Sequence, residues 1–142
     1  MVFLMAAMVN PLSSGEHDSI TFYVQFIRGS NEAKPEDPNW KPIGPVLSKH
    51  LVPIFRWKNY WEVSRYELPV TRGKVSKLHY EVRDLEIELV DEKHVEFRLY
   101  RKGVLTRKSR QSINGQGMEI LGGNRDDDNA WFVVIRRDKP TL

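Results

Sequence analysis

Leu85-Glu86-Ile87-Glu88-Leu89-Val90-Asp91-Glu92-Lys93-His94-Val95-Glu96-Phe97-Arg98-Leu99 decides the fold. Leu85, Ile87 and Leu89 alternate with Glu86 and Glu88; Val95, Phe97 and Leu99 alternate with Glu96 and Arg98. A period of two is the mark of a strand with one buried face. For both apolar sets to share a face, the loop around Asp91–His94 must be odd in length. One such register sets Glu88 opposite Arg98, on a face expected to be polar and solvated.

Downstream, Arg101-Lys102-Gly103 reads as a three-residue hairpin loop with glycine in the left-handed position, which would keep Leu99 opposite Leu105. That strand runs to about Ile113. Asn114-Gly115-Gln116-Gly117 is a turn, Met118–Leu121 a short strand, and Gly122–Asn129 a polar loop. Ala130–Arg137 is the most hydrophobic strand and is expected to be central; Asp138–Leu142 is expected to fray.

Upstream, Ser19–Ile27 alternates Ile20, Phe22, Val24 and Phe26 against Thr21, Tyr23 and Gln25, a half-buried strand. A turn follows at Arg28–Asn31. Glu32–Pro45 carries Pro35, Pro38, Pro42 and Pro45, and reads as a crossover loop because proline lacks a ladder donor. Pro45–Leu51 suits either a short helix that Pro53 would end or a continuation of the loop, since so short a helix is marginal by itself. Tyr60–Val70 is a long strand, placed at an edge or bent by Pro69. A loop at Thr71-Arg72-Gly73 leads to a return strand over Lys74–Val82, with a break near Leu78.

The expected fold is therefore an all-β, mainly antiparallel two-sheet β-sandwich of about eight strands, with a small closed barrel as the alternative. At 142 residues the chain suits one domain, 16–142, and can bury a core without disulfides. No cysteine is present, which removes thiolate catalysis, zinc–cysteine sites and iron–sulfur clusters. The net charge of +3 is too small to define a nucleic-acid binder, so any electrostatic role must come from clustering.

Residues 1–15 are uncharged. Val2–Val9 is continuously apolar, and Pro11, Ser13 and Gly15 follow, as in the apolar region and cleavage site of a secretory signal peptide. No basic segment precedes the apolar run, which is too short to span a bilayer. The expected location is exported, periplasmic or associated with the cell envelope.

Chemistry-bearing patterns are sparse. His17, His50, His79 and His94 show no metal-ligand spacing. No nucleophile elbow occurs, and no cofactor is implied. Asp126, Asp127 and Asp128, flanked by glycines and amides, form a weak calcium candidate without the ligand pattern of an EF-hand. Glu86, Glu88 and Glu96 read as solubilising rather than as a catalytic carboxylate pair.

Two stretches are candidate binding surfaces. Phe55–Tyr66 holds five aromatics in twelve residues, of which Trp57, Tyr60, Trp61 and Tyr66, beside basic residues, could stack on a sugar, a base or a partner chain. Trp57 and Trp61 share one strand parity, Tyr60 and Tyr66 the other. Arg101, Lys102, Arg107, Lys108 and Arg110 put five cations in ten residues. Arg107, Lys108 and Arg110 could meet a polyanion, or could simply guard a sheet edge. The expectation is a non-catalytic exported module of the cell envelope working through protein–protein or glycan contacts. The alternative is a binder of nucleic acid, anionic lipid or anionic glycan through the hairpin 101–110.

Overall fold

The computed structural model describes residues 19–53, 55–114, 117–126 and 129–140, of which 123–126 and 129 are described by backbone alone. The signal-like segment 1–15 lies outside them, as do Asp127 and Asp128.

Among the described residues nine strands and one helix follow in order: β1 (Ser19–Ser30), β2 (Lys41–Pro42), α1 (Pro45–Leu51), β3 (Asn59–Thr71), β4 (Ser76–Tyr80), β5 (Arg83–Leu89), β6 (His94–Arg101), β7 (Val104–Ser112), β8 (Glu119–Asp126) and β9 (Asn129–Arg136). They form two sheets, one ordered β2-β3-β1-β9-β8 and the other β4-β5-β6-β7. The pairs β1–β9, β2–β3, β4–β5, β5–β6, β6–β7 and β8–β9 are all antiparallel. The all-β, antiparallel, two-sheet class holds, and neither sheet closes into a barrel. The described chain divides into two compact units, one of 19–21 and 68–114, the other of 22–67 and 117–140.

The second unit is built on β1 and β9, each flanked by two strands. Ala130–Arg136 is buried throughout, as a central strand of that composition requires. β1 is more buried than its alternation suggests, because Gln25 and Ile27 are covered as fully as Phe22, Val24 and Phe26. One face of this sheet carries a cluster of Ile27, Leu47, Leu51, Tyr60, Ala130, Phe132 and Val134. Pro45 starts α1, and Leu47 and Leu51, one helical turn apart, are its buried stripe. Each buried leucine contributes about 2 kcal/mol.

The proline-rich stretch is an ordered strap. Asn39 N–H donates to Asp37 Oδ1 at 2.8 Å, and Trp40 N–H to Asp37 O at 3.0 Å. Arg28 reaches it from β1, pairing with Glu36 and standing 5.7 Å and 4.8 Å from the rings of Trp40 and Trp131. Lys58 N–H donates to Asn31 Oδ1, and Asn59 Nδ2 to Glu32 O, which ties the strap to the start of β3.

The first unit is a four-stranded meander. Leu85, Ile87, Leu89, Val95, Phe97 and Leu99 are all buried. Leu89 pairs with Val95 across a five-residue connection, 90–94, odd as the parity argument demands. The register differs by two residues from the one considered above: Glu86 faces Arg98 and Glu88 faces Glu96.

Three connections depart from the sequence reading. The turn at 71–74 forms, with Lys74 N–H donating to Thr71 O at 3.1 Å, but β4 pairs with β5 and not with β3. The expected strand over Lys74–Val82 ends at Tyr80, where Glu81 takes φ +56° and reverses the chain without a glycine. The segment 122–129 is largely strand: β8 runs to Asp126 and pairs with β9 through a bulge between Gly122 and Asn124. The tail is less frayed than expected over its described part. Pro140 is buried, its carbonyl accepts from Arg65 Nη1 at 3.0 Å, and Arg136 holds Asp138 at 2.6 Å.

The β6–β7 turn is tighter than expected. Arg101 pairs with Val104, so Lys102 and Gly103 alone make the turn, at φ +51° and +80°. Two positive φ values define the mirror-image turn that matches strand twist, and lysine is a poor choice for its first position. Lys102→Asn is expected to raise stability by about 0.5 kcal/mol, read as a higher urea midpoint at unchanged m-value.

Candidate binding surface

The aromatic segment is absorbed into the fold. Tyr60 is buried, its ring 6.1 Å from that of Phe132, and its hydroxyl accepts from Trp57 N–H at 3.3 Å. Burial raises its pKa above the ordinary tyrosine value, against the lowering effect of that bond. Trp57 lies ahead of β3 and packs half-buried on the same cluster, so strand parity does not govern it. Trp61 is half-buried and paired with Pro42 of β2. Tyr66, also half-buried, meets Phe26 edge-on at 5.9 Å.

Polar contacts join β1 and β3. Arg65 Nη2 donates to Glu62 Oε2 at 2.9 Å, and Gln25 Nε2 reaches the same oxygen at 2.6 Å. Of the four candidate aromatics, Tyr60 is buried and Trp57, Trp61 and Tyr66 are half-buried.

The polar face of the four-stranded sheet is a charge lattice centred on Arg98, whose side chain is 16% exposed. Its Nε donates to Glu86 Oε1 at 2.9 Å, Nη2 to Glu88 Oε1 at 3.0 Å, and Nη1 to Glu96 Oε1 at 3.1 Å. Tyr100 O–H donates to Glu86 at 3.1 Å, and Arg110 Nη2 to Glu96 Oε2 at 2.7 Å. Lys108 Nζ stands 3.6 Å from Glu96, and Lys77 Nζ 3.7 Å from Glu86. The carboxylates read as solubilising are therefore structural, with Glu96 only 5% exposed. A carboxylate so buried persists as an ion because cations surround it.

The electrostatics follow. The hydrogen bond from Arg110 leads the effects that hold Glu96 below the ordinary value of 4.5, and the bond from Arg98 does the same for Glu86. Burial pushes Arg98 down, but Glu86, Glu88 and Glu96 outweigh it and raise its pKa. Both glutamates bind protons more weakly folded than unfolded, so the unfolded chain gains protons first as pH falls. Their stabilisation is full above about pH 4.5, the unfolded value, and is lost as pH drops through the depressed folded values. Urea midpoints are expected to stay flat from these groups between pH 7 and 5 and to fall below that. Glu96→Gln should be less stable at pH 7 and show a shallower acid decline.

The basic stretch on β7 is split. Arg98 pairs with Lys108 and Glu96 with Arg110, which places these two cations on the lattice face. Arg107 pairs with Leu99, on the opposite face. The switch comes from a bulge: Tyr100 pairs with Leu105 but Leu99 with Arg107, so Thr106 is the extra residue. Thr106 O–H donates to Leu99 O at 3.0 Å, in keeping with an extra residue turned toward β6. Leu105, expected opposite Leu99 and buried, instead stands beside Tyr100 on the lattice face and is 46% exposed. Val104 is 65% exposed. A groove of about 320 Å³ lies next to them, lined by Lys77, Asp84, Glu86, Tyr100 and Gly103.

Other candidates stay apart. His79 Nδ1 lies 2.6 Å from Asp84, and His94 Nδ1 2.9 Å from Asp91. Among the described residues no three His, Asp or Glu side chains are placed to hold a metal ion. The side chains of Asp126, Asp127 and Asp128 lie outside the described residues. Among those residues no helix is long and apolar enough to cross a membrane.

The sequence marks the hairpin 101–110 for its cations but not for the exposed apolar residues at its tip. Leu105 is expected opposite Leu99, and no local signal separates a loop bulge from a strand bulge. No family model matches the chain, and no curated protein or solved structure is significantly similar to it.

Proposed function

We propose that this protein is a non-catalytic binding module that holds a protein partner at the β6–β7 hairpin. The observation carrying this reading is the outward pair Val104 and Leu105, set at an edge strand by a bulge that takes Leu105 off the apolar face. Val104 pairs with Arg101 and Leu105 with Tyr100, so the strand shows an exposed apolar side chain on each of its two faces, and such side chains at an otherwise charged edge mark a contact region. Glycan stacking is less well served, since the aromatic segment is spent on the fold. A nucleic acid or other polyanion would need cations converging on one face, whereas Arg107 lies on the face opposite Lys108 and Arg110. The signal-like residues 1–15 favour a place in the cell envelope.

A photo-crosslinking residue at position 105, compared with one at exposed Lys49 on α1, tests the site in the native host. A defined protein adduct from position 105 alone is expected. Equal labelling from both positions, or adducts only with nucleic acid or glycan, would overturn the reading. The mass of the N-terminus in protein recovered from that host tests export: an intact Met1 rules out cleavage.

A further inference from the structure

We infer that β7 accepts an extended acidic segment of the partner as a fifth strand of the four-stranded sheet. This inference rests on the assignment of the β6–β7 hairpin as the binding surface, and specifies how that surface is used. β7 ends the sheet, is nine residues long, and has six exposed residues. Alternate residues of an edge strand direct their N–H and C=O groups away from the sheet, a template for one more strand. The opposite edge, β4, offers only five residues.

Charge selects the occupant. A second copy pairing antiparallel through its own β7 would bring Arg107, Lys108 and Arg110 against the same residues, and like charges opposite one another are destabilising. An acidic segment meets the same cations favourably. Lys108 and Arg110 keep donors for it, because their side chains are 58% and 54% exposed even while bonded to Glu96. Arg107 supplies a cation on the other face of the added strand. The strand pairs β4–β5, β5–β6 and β6–β7 are antiparallel, and an added strand that continues the pattern runs from Arg110 toward Val104. Its N-terminal half would then be acidic, and its C-terminal half apolar, to cover Val104 and Leu105.

The probe is a synthetic eight-residue peptide with three glutamates followed by valines and a leucine, titrated against the full chain. Two further versions carry N-methyl groups on one or the other alternate set of residues. Only one set faces β7 in strand addition. One methylated peptide is therefore expected to bind at least about tenfold more weakly, and the other to bind unchanged. Arg107→Glu should weaken the parent peptide by about tenfold, and a version with lysines for glutamates should not bind the natural chain. If both methylated peptides bind like the parent, attraction is through side chains alone and strand addition is overturned, while the binding surface stands. If the parent peptide does not bind although position 105 still crosslinks a protein, the acidic occupant is wrong and the hairpin reading survives. If neither is seen, both fail together.

Discussion

Arg98→Met is expected to lower the unfolding free energy by about 3–5 kcal/mol at pH 7. Methionine fills most of the volume, so the loss is mainly electrostatic. It leaves Glu86, Glu88 and Glu96 without the guanidinium that each accepts from at 2.9–3.1 Å. Glu96 would keep Arg110 and Lys108, and Glu86 would keep Tyr100 and Lys77, which holds the loss within that range. The deficit should shrink at pH 4, because carboxylates that lose their cation take up protons more readily and cease to repel. Lys77→Met is the control: its side chain is 72% exposed, and its removal should cost under about 0.5 kcal/mol. A change of less than about 1 kcal/mol for Arg98→Met would mean that the lattice is solvated decoration.

Gly122→Ala is expected to cost about 3 kcal/mol, from two sources that add. Gly122 sits at φ +113°, where a side chain is strained, and a Cβ there would stand 2.6 Å from the Trp131 carbonyl oxygen. That neighbour is the backbone of β9 and cannot rotate aside. Relief would require the pairing of Gly122 with Phe132 to open, which loosens β8 along β9. Urea unfolding should show the loss, and hydrogen exchange should locate it at Leu121 and Val133, which are paired. Gly117→Ala meets nothing within 4 Å and should be close to neutral. Equal effects at the two glycines would mean that the bulge is not built as described.

Much of the fold was legible because its signal is local. The alternation over Leu85–Leu99 gave two strands, their shared face and an odd connection, and all three hold. Composition alone placed Ala130–Arg137 inside a sheet and offered Pro45 as the start of a helix. Connections were less legible where the usual residues were absent or ambiguous. Glu81 turns the chain with no glycine to announce it. Gly122-Gly123 serves a bulge with the same residues that would serve a loop, since both need positive φ.

The candidate site was the least legible part, and the aromatic segment explains why. Five aromatics in twelve residues do not say which side is covered. That depends on α1, the strap and β9, all of which lie outside the segment itself. At Thr106 one extra residue moves Leu105 from the apolar to the polar face, and such a shift has no composition of its own.

By itself, then, the sequence determined the strands and their apolar faces, because the pleat writes a period of two into the residues of each strand. Only the tertiary structure decided which strands share a sheet, that Arg98 gathers three carboxylates, and that Val104 and Leu105 face outward. Those outcomes depend on register and on bulges, which are set by partners distant in the chain and leave no mark in any one segment.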